Sequence, residues 1–202
     1  MSSFAAVAAR SCASHEGLAL ALAEALGCDT AGAPEALREL AAGLPREAAP
    51  DAALAAIAEL CGDLRVRRDG ALLLPEVLRR GGGHPAGVAV VAVAAGRQAG
   101  YAVGLVGGGR RLLVAHHLSD GSMVVDPAAG LVDARTYEVE LNWRCAHESA
   151  AEILERASER AERHGALALA TAARALALQL PLADASRAVA EASHRRLLSR
   201  LN

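Results

Sequence analysis

The sequence predicts an α+β fold in which one buried helix packs against a small antiparallel sheet, with further helices flanking it. Three observations carry that expectation. Apolar residues recur at a helical period up to about residue 99, at a period of two from 101 to 126, and at a helical period again from 148 onward. Within 86–99 the run of Val and Ala indicates burial on most sides. Asp120-Gly121 stands between two runs of β-forming residues and is a strong hairpin signal.

The first third reads as helices. Phe4, Val7 and Ala8 repeat at helical spacing, and LALALAEALG continues an apolar face to a stop at Gly27. A second helix is expected over 34–42, with Pro34 in its first turn and GLP closing it. A third starts near Asp51 as N-cap and turns Leu54, Ile57, Ala58 and Leu60 inward before Gly62. LRVRRDG then breaks the pattern, LLLPEVLRR forms an apolar helical turn, and GGGHPAG reads as a flexible break that leads into the buried helix 86–99.

Three strands follow, over 101–106, 111–117 and 122–126. With a two-residue turn at Asp120-Gly121, Ser119 faces Ser122, Ala115 stands opposite Asp126, and His117 shares that face one pair along. From about Glu148 the chain returns to three amphipathic helices, separated by Gly165 and Pro181. They resemble one and a half helical hairpins of the tetratricopeptide kind. The expected organisation is a domain over 1–146 with a helical N-terminal support, and a helical tail over 147–202.

Composition excludes several classes. The 202 residues are 53% hydrophobic, enough for one well-filled core, and 21 basic against 23 acidic side chains leave no overall field for nucleic acid or anionic membrane. Neither is expected as a partner. MSSFAAVAARSCASHEG lacks the charged start and continuous apolar core of a signal peptide, and no run reaches the roughly 20 apolar residues of a membrane helix. The expected location is the cytoplasm. Cys12, Cys28, Cys61 and Cys145 are scattered without metal-ligand spacing, so they are expected to be buried, reduced thiols, with no metal and no cofactor.

LLPEVLRRGGGHPAGVAVVAVAAGRQAGYAVGLV, followed by RRLLVAHH and MVVDPAAG, resembles the bacterial transglutaminase-like branch that carries a helical N-terminal part and a tetratricopeptide-like tail. The resemblance implies a cysteine-protease-like core. In active members a cysteine at the start of the buried helix is the nucleophile, a histidine moves the proton, and an aspartate orients the histidine. Carried over residue by residue, the helix start reads Gly83-His84-Pro85-Ala86-Gly87, with no thiol anywhere between Cys61 and Cys145. The histidine position falls on Arg110 or Arg111, which cannot act as a base. Only Asp126 matches, so thiol-dependent acyl transfer is not expected.

Other residues compete for a role. Gly108, Gly109, Arg110 and Arg111 could present N–H groups and guanidinium groups to a small anionic ligand, or form a flexible hairpin loop with solvated arginines. His84 could meet a substrate ahead of the helix N-terminus, or be an exposed loop residue. His117 could replace the missing partner of Asp126; the alternative leaves it an ordinary exposed strand residue and Asp126 a structural cap that accepts backbone hydrogen bonds. Trp143 and Cys145 are expected at the hinge between sheet and tail, with Trp143 packing rather than binding.

Three functions are expected in order. The first is a non-catalytic transglutaminase-like subunit that binds and stabilises a partner protein, a homologous subunit of a heteromeric enzyme. The second is a member of a transglutaminase-like pair with repurposed chemistry; the superfamily's precedent is aziridine formation by sulfate elimination in natural-product biosynthesis, and an arginine-lined cleft would favour it. The third is a regulatory or scaffold protein acting through its helical tail.

Overall fold

The computed structural model describes residues 3–11, 13–46 and 48–201, so Cys12, expected as a buried thiol, lies outside the described residues. In chain order the elements are α1 (Phe4–Ala8), α2 (His15–Ala25), α3 (Ala33–Ala42), α4 (Pro50–Asp63), β1 (Arg65–Val66), α5 (Leu74–Arg80), β2 (Gly82–Gly83) and α6 (Pro85–Gln98). Then come β3 (Val103–Gly108), β4 (Arg111–His116), β5 (Met123–Asp126), β6 (Gly130–Asp133), a 3₁₀ turn (Ala134–Thr136), β7 (Asn142–Arg144), α7 (Ala146–Arg163), α8 (Leu167–Ala177) and α9 (Asp184–Leu201). The fold is α+β. Two compact units form, one from residues 30–145 and the other from 1–29 together with 146–202.

In the central unit, α6 is the buried helix that its composition calls for. Ala86 through Gly96 are all buried, and the helix packs against α3, α4 and α5 on its sides and against β3 and β4. Small residues permit that crowding: a Cβ at Gly96 would come within 2.9 Å of Ile57 Cδ1 and of Val103 Cγ2.

The sheet runs β6-β5-β4-β3-β7, antiparallel throughout, beside a separate two-residue parallel ladder between β1 and β2. Alternation divides its side chains between two faces. Val103 points toward α6, with Leu105, Val114 and Val125 on its face. Val106, Leu113, Ala115 and Val124 cluster on the other, under Val132, Ala134, Tyr137 and Leu141.

Several expectations need correction. β3 starts at Val103 and runs on to Gly108, because Gly109 (φ 59°) and Arg110 make a tight turn that pairs Gly108 with Arg111. Tyr101 stands before that strand, where its hydroxyl donates to the Pro45 carbonyl at 2.5 Å. The β4–β5 register also differs: Val114 pairs with Val125, which carries Leu113, not Ala115, opposite Asp126. The connection over 117–122 is wider than a two-residue turn, since Ser119 donates to the His116 carbonyl at 2.9 Å and the Asp120 carboxylate accepts from Ser122 N–H at 2.9 Å. A slip of two residues keeps every side chain on its face.

The glycine-rich break is packed rather than flexible. Gly81 ends α5 in the left-handed region (φ 60°), and Gly82-Gly83 lies alongside Arg65-Val66. A Cβ at Gly83 would stand 2.4 Å from the Ala71 carbonyl oxygen, so close backbone approach requires glycine there. Pro50, not Asp51, opens α4, and Ala49 is its N-cap.

The other unit groups α1 and α2 with the tail helices, where the sequence assigned them to the central domain as its support. α2 packs on α7, α7 on α8, and α8 on α9. Ser14 caps α2, accepting from Gly17 N–H at 3.0 Å. His147, buried at the start of α7, donates through Nε2 to the Ala8 carbonyl at 3.0 Å. The amphipathic face of α7 buries Ala150, Ile153 and Leu154.

Candidate functional site

Asp126 ends β5 with its side chain 6% exposed and both carboxylate oxygens accepting hydrogen bonds. Oδ2 accepts from Arg111 Nη1 at 3.1 Å and from the Tyr137 hydroxyl at 2.8 Å; Oδ1 accepts from Ala128 N–H at 2.8 Å. Its backbone carbonyl accepts from Ala129 N–H at 3.0 Å. Arg111 is delivered by the tight β3–β4 hairpin, and its guanidinium carbon sits 5.4 Å from the Tyr137 ring centre. The 3₁₀ turn carries Tyr137 back over the sheet. Burial first, then the Asp126 hydrogen bond and charge, push the Tyr137 phenol up to about 12, so it remains a donor at neutral pH.

This cluster stands on the sheet face that turns away from α6, since Asp126 is two residues from Val124 on the same strand. His84, at the start of α6, is not brought to it. Its Nδ1 accepts from Ala86 N–H at 3.1 Å, so the ring caps the helix. It is half-buried, which corrects the reading of an exposed loop residue. Ala86 and Gly87 behind it are buried, and a Cβ at Gly87 would stand 2.8 Å from the Leu72 carbonyl oxygen. Backbone from 71–72 therefore packs directly against the first turn of α6 at Gly87.

His117 is not a partner of Asp126 either. It follows β4, and its ring stacks on Trp143 with centroids 4.0 Å apart and planes 18° from parallel. Gly104 leaves room for the stack: a Cβ there would be 2.8 Å from His117 Nε2. Partial burial, then the charges of Arg97 and His116, hold the imidazole below its ordinary pKa. Trp143 packs as expected, yet 47% of it remains exposed because β7 is an edge strand.

The glycine-arginine stretch is divided. Gly107 and Gly108 belong to β3 and are buried, Gly109 and Arg110 make the turn, and Arg111 is committed to Asp126. Of the thiols, Cys61 is buried on α4, and burial followed by the Asp126 charge pushes its pKa up to about 12. Cys145 is exposed and Cys28 half-buried, which corrects the expectation of uniform burial; Cys145 lies between an edge strand and the following helix.

A cavity of about 560 Å³ lies at the other end of α6, lined by Arg38, Arg46, Gln98, Ala41, Ala99 and Gly100. Arg38 Nη1 also donates to Glu35 at 2.9 Å. Sequence reasoning missed this cavity because its walls come from two distant stretches, neither of which carries a motif. It missed Tyr137 for the same reason. Among the described residues, no group of three or more His, Cys, Asp or Glu side chains is arranged to hold a metal ion, and no helix is long and apolar enough to cross a membrane. In comparisons with known proteins, no family model, no curated protein and no solved structure matches this chain.

Proposed function

We propose that this chain is a non-catalytic subunit with a degenerate transglutaminase-like plan, which binds and stabilises a partner protein, a homologous subunit with a more complete site. The carrying observation is the commitment of Asp126 to Arg111, Tyr137 and Ala128 N–H. A carboxylate held by these three donors orients no histidine here, since His84 caps α6 and His117 stacks on Trp143. A thiol pushed up to about 12, as at Cys61, is essentially all protonated at neutral pH and a poor nucleophile. What such a chain still offers a partner is surface. Leu118, Val139 and Trp143 are exposed apolar side chains of the central unit.

The test is co-expression with the products of neighbouring genes, followed by affinity capture and size-exclusion chromatography. A stable heteromer is expected, and it should survive replacement of all four cysteines by Ala. An isolated monomer with full biological activity, or an acyl adduct on any of the thiols, would overturn the reading.

The arginine-lined cavity favours a second reading, in which the chain holds a small anionic ligand between α3 and α6. Arg38, Arg46 and the Gln98 amide supply donors, and the arginines offset the negative ends of the two helices that close there. Calorimetric titration with sulfate and phosphate tests it. Binding lost in Arg46→Ala supports the site; no heat with either anion rejects it.

A further inference from the structure

We infer that β7 joins two copies of this chain, pairing antiparallel with the β7 of a second copy about a two-fold axis at Trp143, so that one sheet runs through both. The inference concerns this chain alone and stands apart from the heteromer proposed above.

The backbone sets the geometry. Gly108 and Arg111 close the two-residue β3–β4 turn, and His117 N–H donates to the Ala102 carbonyl at 2.8 Å. Even-numbered residues of 102–108 therefore turn their N–H and C=O groups toward β4, while Val103, Leu105 and Gly107 turn theirs toward β7. Leu105 faces Arg144 and Gly107 faces Asn142, which makes these the bonded pairs of the β3–β7 ladder. Trp143, opposite Val106, is left with its N–H and C=O directed away from the sheet. Among the described residues, no backbone bond outside the ladder takes either group.

The two edges of the sheet differ. α4 packs beside β6, whereas Asn142 and Trp143 on β7 are exposed. Residues 138–145 hold no proline or lysine, the residues that commonly blunt an edge against pairing.

A second copy fits this edge residue by residue. With the two-fold axis at Trp143, each Trp143 donates to and accepts from the other, Asn142 stands opposite Arg144, and Leu141 stands opposite Cys145. No like charges are directly opposite. On the diagonals each Arg144 has Glu140 and Arg144 of the second copy, which places two carboxylates around two guanidinium groups. The indole, which stacks on His117 over Gly104, gains the second indole across the edge.

The test uses the full chain. Sedimentation velocity is measured from low to high micromolar concentration, with the emission of the one tryptophan followed over the same range. A monomer–dimer equilibrium is expected, with emission moving to shorter wavelength as dimer forms. Trp143→Lys puts two ammonium groups at the axis and should remain monomeric with the parent's circular dichroism. Cross-linking reads the register. In the chain with all four native cysteines changed to Ala, Trp143→Cys sets two thiols on Cα atoms about 5.5 Å apart, a span that a disulfide bridges. Oxidised glutathione should link that variant into a covalent dimer, while the equally exposed Val139→Cys should stay monomeric. Should the variants not fold, the parent carries the test by itself. A parent that is monomeric at every concentration, or a dimer whose emission does not move, overturns the inference; so does a dimer that persists in Trp143→Lys, or equal cross-linking of Val139→Cys. A heteromer formed by a chain that does not self-pair leaves the proposed function standing, so the two readings fail separately.

Discussion

Tyr137 and Arg111 converge on the same oxygen of Asp126, at 2.8 and 3.1 Å, although they lie on opposite sides of it in sequence. The pair ties the segment after β6 and the start of β4 to the end of β5. Asp126→Asn keeps the shape and removes the charge. It is expected to cost about 1.5–3 kcal/mol, the range for hydrogen bonds to an ionised group. Tyr137→Phe should cost about 1 kcal/mol, and the two should be non-additive in urea unfolding. Strict additivity would show that the contact contributes nothing.

The same phenol makes stability sensitive to alkali. Its folded pKa, about 12, lies above the ordinary 10, and that of Cys61, also about 12, lies above the ordinary 9. Groups with raised folded pKa values contribute stability that is complete below the unfolded pKa and is lost as pH rises toward the folded one. Stability should hold to about pH 9 and decline from there to 12. Tyr137→Phe and Cys61→Ala should each flatten the decline; unchanged slopes in both would refute the assignment.

The glycines before α6 differ from one in α4. Gly83→Ala drives a Cβ to 2.4 Å from the Ala71 carbonyl, and overpacking of this kind should cost about 3 kcal/mol or more. Gly62 is helical, exposed and meets nothing within 4 Å, so Gly62→Ala should stabilise by up to about 1 kcal/mol. Denaturant midpoints decide both. A neutral Gly83→Ala would mean that β1 and β2 are not held as closely as described.

The chain has one tryptophan, so its fluorescence reports directly on the stack with His117. Protonating the imidazole places a cation against the indole and should quench its emission. The midpoint is expected below the ordinary 6.5, in keeping with the lowered pKa. His117→Ala should abolish the titration while leaving unfolding nearly unchanged, as expected of an exposed residue. A midpoint at or above the ordinary value would contradict the stacked, partly desolvated geometry.

Much of this protein was legible in its residues because the information is local. The Val and Ala run of 86–99 has no polar face to expose, so it had to be a buried helix. The short apolar runs over 111–116 and 123–126, on either side of the Asp120-Gly121 turn signal, read as strands, and Asp126 beside Pro127 carried its own turn, seen as the bond from Ala128 N–H. Gly165 and Pro181 divided the tail into its three helices. Tertiary structure decided the rest. β6 and β7 are short and half-exposed, and exist because a neighbouring strand pairs with them. The β4–β5 register depended on side chains of Ser119 and Asp120 bonding to their own loop. The grouping of 1–29 with the tail followed from the need to cover α7. The partners of Asp126 could not be read in advance either, since a charge acquires its energetic meaning only when folding has determined what surrounds it.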